Sequence, residues 1–387
     1  MSGAAPVAQR HPAIDWMRGF VMVLMAVDHA SGVLNAGRLA HDSAFDLSGL
    51  GLRAVDGVLP AAQFLTRWIT HLCAPTFLFL SGTSLALSTS RRAERGASPG
   101  EIDRHLFVRG AVLLCFEAFW FSPLFSVPMG HYALVLQVLF AIGAGLWLMI
   151  PLRRLDARWL LALGLAWFVV GEALTLGLAG IGTAPPVWLR VLLAPGALPG
   201  GEVLYPALPW LAMMALGWAF GERLARMDGA SGSREAGRLC LVAGAASLAV
   251  FVLVRASNGY GNMGLVRRNG ELLEWLFVSK YPPSLSFAAL ELGLMGVALG
   301  GLFLLQQRLA APRAGDPLLI LGQTALFFYL LHFHLLGVAG AALGWIGTRG
   351  LPTTYAAALA VTLFLVPICR AYGGYKRRHP NGWAQYV

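Results

Sequence analysis

Asp28 and His29 stand side by side near the end of the first long apolar run of the chain. A carboxylate beside an imidazole can set its tautomer and raise its basicity, which is what a general base requires. Sequence neighbours on a helix diverge by about 100°, so adjacency alone does not make the pair. Upstream, Asp15, Arg18, Met22, Met25 and His29 recur at steps of three and four and share one stripe. Asp15 and Arg18 have a second reading there, as groups that cap and anchor the end of the helix.

Further polar groups interrupt other apolar runs. Arg67 and His71 are four residues apart, hence on one helical face, and Pro75 follows. Pro75 has no N–H to give the carbonyl of His71, so the helix is expected to bend there and open a polar pocket. Glu117 and Glu291 each lie well inside an apolar run, whereas Glu172 reads as a structural partner. Tyr329 and His332 are three apart and share a face. His334 lies about 200° from His332 and cannot easily serve the same site. His41, Asp42 and Lys280 add candidates in two connecting segments. Ionisable side chains inside apolar spans are costly and mark function by default.

The elements that must carry these groups follow from composition. Of the 387 residues, 57% are hydrophobic and only 12% are charged. A water-soluble or disordered chain does not have that balance. The sequence predicts one all-α, polytopic membrane bundle over residues 1–387. It has ten helices near 14–35, 62–88, 106–124, 132–151, 159–181, 203–223, 239–256, 284–306, 317–343 and 354–372, each about the 20 residues a span needs. With the N-terminus inside, most of the 29 Lys and Arg fall in cytoplasmic segments, so both termini are expected in the cytoplasm. The basic tail around Lys376 reads as a topology anchor. No cleavable signal peptide is expected, because the first apolar run is long and lacks a small-residue cleavage site.

Several functions are excluded. The net charge of +10 is spread in short clusters rather than one stripe, which argues against nucleic-acid binding. Cys73, Cys115, Cys240 and Cys369 all sit in apolar stretches without metal-ligand spacing, so neither disulfides nor a metal are expected. No G-x-S-x-G elbow, phosphate loop or H-E-x-x-H helix is present.

Four stretches resemble the membrane acetyltransferase family named for heparan-alpha-glucosaminide N-acetyltransferase, in its bacterial branch. They are Asp15-Trp16-Met17-Arg18-Gly19-Phe20 running to Asp28-His29, and Thr70-His71-Leu72-Cys73-Ala74-Pro75-Thr76-Phe77 running to Ser81-Gly82. The others are Lys280-Tyr281-Pro282-Pro283-Ser284-Leu285, and Gly322-Gln323-Thr324 running to Tyr329 and His332. Tyr205-Pro206-Ala207-Leu208-Pro209-Trp210 is a weaker fifth.

The resemblance implies a bacterial inner-membrane enzyme. It would move an acetyl group from cytosolic acetyl-CoA to an amine or hydroxyl of an envelope sugar on the outer face. It also implies a catalytic histidine, acting as base or acyl carrier. His41 occupies the region of the histidine proposed for the animal enzyme, but the residues around it do not match. His29, His41 and His71 therefore stay candidates, with Asp28 behind the base. Lys280, Tyr329 or His332 would serve the developing oxyanion. Arg67, Glu117 and Glu291 would line the substrate site. The rival reading is a proton-coupled secondary transporter using the same intramembrane groups. Helix faces rich in Gly and Ala leave room for an oligomer, a dimer being expected.

Overall fold

The computed structural model describes residues 11–39, 60–126, 130–179, 185–227, 229–309, 315–379 and 382–386. His41 and Asp42 lie outside the described residues. The chain runs through α1 (Pro12–Leu34), α2 (Ala61–Ile69), a 3-10 turn (Thr70–Leu72), α3 (Cys73–Glu94), α4 (Pro99–Phe116), a π-helical turn (Glu117–Phe121) and α5 (Ser122–Ser126). It continues through β1 (Leu134–Leu136), α6 (Val138–Leu152), α7 (Ala157–Ala179), α8 (Val187–Leu192), β2 (Gly196–Leu198), β3 (Gly201–Val203) and α9 (Ala207–Ala225). It closes with α10 (Gly229–Ser257), α11 (Leu272–Leu276), α12 (Leu285–Arg308), α13 (Pro317–Gln323), α14 (Ala325–Ala342), α15 (Leu351–Arg378) and a last 3-10 turn (Trp383–Tyr386).

Among the described residues, eight helical segments are long and apolar enough to cross a membrane. The bundle's outward faces carry exposed Leu165, Val169, Val242, Leu253, Leu359 and Leu363. A water-facing surface does not carry such a belt, whereas lipid tails favour it. The chain is a multi-pass membrane protein.

Eight differs from the ten expected, and the difference has a physical cause. The other two expected spans fall on α6 and α9. The α6 helix has only 15 residues, roughly 22 Å at 1.5 Å per residue, because strand β1 takes the residues before it. The α9 helix carries Glu222 and Arg223 in its last turns. It is buried along most of its length, with Trp210, Met213, Met214 and Trp218 inside the core. A helix shielded from lipid need not be apolar all round.

Three expected helices are interrupted, that over 106–124 by the π-helical turn Glu117–Phe121. The break ahead of Pro75 takes the form of the 3-10 turn Thr70–Leu72, as the missing proline N–H requires. The stretch expected as one helix over 317–343 divides at Thr324, whose backbone leaves the helical region.

Two glycines make the central crossing. A Cβ on Gly322 would stand 1.8 Å from the Asp15 carbonyl oxygen, and one on Gly19 would stand 1.9 Å from that of Leu318. Only glycine lets α1 and α13 approach so closely. Trp16 locks the same crossing by donating from Nε1 to Asp316 Oδ2 at 2.7 Å, while Asp316 Oδ1 caps α13. Around α1 pack α3, α12, α13, α14 and α15, and α3 in turn packs on α9. A small sheet, ordered β1-β3-β2, has β1 and β3 parallel.

Candidate active site

The C-terminal third of α1 meets the middle of α14. There, His29 Nδ1 lies 2.7 Å from His332 Nε2, and the two rings are nearly parallel, 4.8 Å between centroids. Tyr329 adjoins both, at 5.9 Å from His29 and 5.8 Å from His332. Phe333 closes the other side of His29 at 4.5 Å.

The hydrogen bonds assign the tautomers. His332 Nδ1 faces the Phe328 carbonyl oxygen at 2.9 Å, an acceptor only, so Nδ1 carries the proton and donates. His332 Nε2 is then an acceptor, and His29 Nδ1 must donate to it. His29 Nε2 is left with its lone pair, and nothing among the described residues bonds to it. A second histidine thus holds the first in the tautomer that a base or nucleophile needs.

Asp28 does not take that role. Its Oδ1 receives Arg67 at 2.5 Å, Arg38 at 3.0 Å and Thr70 at 3.1 Å. The expected Asp28–His29 pair is replaced by an ionic knot that ties the end of α1 to Arg38 and to α2. The 100° divergence of helical neighbours sends the two side chains different ways.

His334 also points elsewhere, its two nitrogens facing the carbonyls of Leu330 and Trp120. His71 is buried against Phe287 at 5.8 Å. Glu117 accepts from the backbone of Gln137 at 2.8 Å and of Phe140 at 3.0 Å, so its carboxylate caps α6. Glu172 accepts from the Met263 N–H at 2.9 Å.

On the side of the histidine pair nearer the start of α1, a cleft of about 280 Å³ runs toward the end of the bundle. Arg18, Arg109, Lys376, Ser84 and Gln323 line it, together with Met22, Met25 and Leu326, and Tyr329. Arg18 is held by Asp15 at 3.1 Å and bonds to Ser84. The Nε of Arg109 is buried without a hydrogen-bond partner. Along α1, Arg18 and His29 are roughly 16 Å apart at 1.5 Å per residue. The cleft therefore joins a basic rim to the tyrosine beside the histidine pair.

On the other side, Lys280 lies 5.1 Å from the Tyr281 ring and 6.0 Å from that of Tyr205. The two tyrosine hydroxyls are 3.1 Å apart. Ser284 caps α12, accepting from the Phe287 N–H at 3.0 Å, and Glu291 follows two turns on. The fifth sequence stretch is thereby joined to the third.

Arg38, Arg109, Ser84 and the cleft itself escape sequence reasoning, and Lys376 reads there only as a topology anchor. Arg109 alone left a signal, an arginine two turns before Glu117 in the same apolar run. Among the described residues no cluster of His, Cys, Asp or Glu is placed to hold a metal ion.

Residues 10–255 match the family described as heparan-alpha-glucosaminide N-acetyltransferase, catalytic. No curated protein matches the chain. The match covers more than half of the sequence, from α1 through most of α10, and so takes in His29, the Asp28 knot and the walls of the cleft except for α13–α15. The chain belongs to the family of the heparan-alpha-glucosaminide N-acetyltransferase catalytic region.

Proposed function

We propose that the protein transfers an acetyl group from acetyl-CoA to an amine or hydroxyl of an envelope sugar. The observation that carries this reading is the free Nε2 of His29, held in place by His332 beside the tyrosine that ends a basic-rimmed cleft.

The residues fit the donor. Arg18, Arg109 and Lys376 suit the phosphates of coenzyme A, and the buried, unpartnered Nε of Arg109 is an N–H in search of an acceptor. The apolar middle of the cleft suits the pantetheine arm and leads the thioester toward His29. In direct transfer, His29 Nε2 takes the acceptor's proton as its nitrogen or oxygen attacks the thioester carbonyl. The C–S bond breaks, and His29 returns that proton to the departing thiolate. In the covalent variant, Nε2 itself attacks, the C–S bond breaks and the thiolate leaves. The acceptor then attacks the acetyl carbon, the Nε2–C bond breaks, and the acceptor's proton passes by way of Nε2 to the thiolate. His332 Nε2 stabilises the imidazolium by accepting from Nδ1 in both. Tyr329, whose ring adjoins both histidines, offers a hydroxyl to the carbonyl oxygen as it gains charge.

Counting α6 and α9 gives ten passes, with both termini cytoplasmic. The basic rim then faces cytosolic acetyl-CoA, and Lys280 lies toward the outer face of a bacterial inner membrane. The test is release of free CoA thiol by the purified protein, with and without a panel of amino sugars. Acceptor-dependent release supports transfer. Release that no acceptor changes, or none at all, contradicts it.

A further inference from the structure

Two buried charges near the histidine pair have no hydrogen-bond or ion-pair partner among the described residues. Lys280 is 3% exposed and makes no hydrogen bond or ion pair with any described residue, only the two tyrosine faces. Glu291 is 1% exposed, and its Oε1 is fully buried without a hydrogen-bond partner. Lys280 lies within electrostatic reach of Glu291, Asp28 and His29. It nevertheless forms no salt bridge within 4.0 Å to either carboxylate. Burying an ammonium or a carboxylate without bonded partners is costly. Such groups persist where a ligand completes them.

The two leave complementary demands. The Lys280 ammonium offers donors and calls for an oxygen with negative charge. Glu291 offers an acceptor and calls for an N–H or O–H. The surrounding charge adds to the first demand. Among the described residues, Arg38 and Arg67 both pair with the one carboxylate of Asp28, so that carboxylate is already engaged and does not serve Lys280. Tyr205 and Tyr281 supply aromatic faces and paired hydroxyls beside them.

We infer that Lys280 and Glu291 hold the acceptor, and that the acceptor carries an anionic group, a phosphate or carboxylate, besides its amine or hydroxyl. Glu291 receives the N–H or O–H, and Lys280 binds the anionic oxygen. The pair gives the site its acceptor specificity. The word acceptor rests on the acetyl-transfer reading; the binding site itself does not.

The experiment separates the two. Binding of glucosamine, glucosamine 6-phosphate and inorganic phosphate is measured on the full-length detergent-solubilised protein without acetyl-CoA, so that no turnover occurs. Glucosamine 6-phosphate should bind at least ~10-fold more tightly than glucosamine, as a hydrogen bond to a charged group predicts. Lys280→Met should bring the two sugars within about twofold of each other, and Lys280→Arg should retain part of the difference. Glu291→Gln should weaken both sugars alike. Size-exclusion profiles confirm that each variant is folded, and Lys280→Arg keeps the test decisive if Lys280→Met is not.

Equal binding of the two sugars by the wild type would overturn the inference. So would a preference that survives Lys280→Met. Inorganic phosphate binding as tightly as the sugar phosphate would reduce the site to a plain anion site and overturn it as well. An intact preference in a protein that never releases CoA thiol would instead remove the transferase reading and leave this site standing.

Discussion

His29 and His332, about 300 residues apart in the sequence, share a 2.7 Å hydrogen bond in which His29 Nδ1 donates to His332 Nε2. The Phe328 carbonyl fixes the direction of that bond from behind. His332 is therefore a positioning residue for His29. His332→Ala should lower kcat by about 10- to 100-fold, the usual cost of losing an orienting partner, while KM for acetyl-CoA changes little. The steady-state kinetics of CoA release check this. A proportional rise in KM with kcat unchanged would make His332 a binding residue instead.

The rim of the cleft should govern donor affinity. Arg109→Gln and Lys376→Gln should each raise KM for acetyl-CoA roughly 10-fold, the scale of one charge-assisted hydrogen bond. The KM for the acceptor should stay the same. Dephospho-CoA thioesters, with one phosphate fewer, should show a smaller effect for at least one of the two variants. Unchanged KM in both variants would place the donor elsewhere.

The Asp28 knot should be structural. Asp28→Asn leaves Arg38 and Arg67 without their shared carboxylate, and because the pair is only partly buried the cost falls below the ~3–5 kcal/mol of breaking a buried ion pair on one side. The melting temperature of the detergent-solubilised variant should fall clearly, and activity should fall with it. A variant of native melting temperature that has lost activity would return Asp28 to the catalytic set.

The crossing of α1 and α13 admits no side chain at Gly322. Gly322→Ala puts a methyl 1.8 Å from the Asp15 carbonyl oxygen, so the helices must separate. Overpacking of this kind costs about 1–3 kcal/mol, read as lowered thermal stability. Because Gln323 also bonds Asp15 at 3.5 Å and lines the cleft, donor affinity should weaken too. Native stability of Gly322→Ala would contradict the close approach.

Much of this architecture is legible in the sequence because lipid imposes a simple code. Runs such as 14–35 and 284–306 announce α1 and α12, and Pro75 announces the break ahead of it. Polar residues inside apolar runs single out His29, Glu291, Tyr329 and His332 for the same reason, whereas Lys280 is a candidate from a connecting segment. What the sequence hides is which of them meet. Asp28 is next to His29 in the chain and bonded to arginines, whereas His332 is remote in the chain and bonded to His29. Glu117 looks like a buried functional acid, yet its carboxylate is taken up by two backbone amides. Helical phase, and the division of the helix at Thr324, decide these outcomes, and both depend on packing between distant segments. The Gly19–Gly322 crossing shows the same limit, since each glycine alone reads only as a small residue in a span.

The most direct test concerns His29 itself. Acceptor-dependent release of CoA thiol is compared among the wild type, His29→Ala, His41→Ala and His71→Ala, each confirmed folded by size-exclusion chromatography. His29→Ala should lose at least ~100-fold in rate, the lower bound for removing a general base, while His41→Ala stays within a fewfold of the wild type. Full activity in His29→Ala, with activity lost in His41→Ala or His71→Ala, would contradict the assignment of the reacting nitrogen to His29.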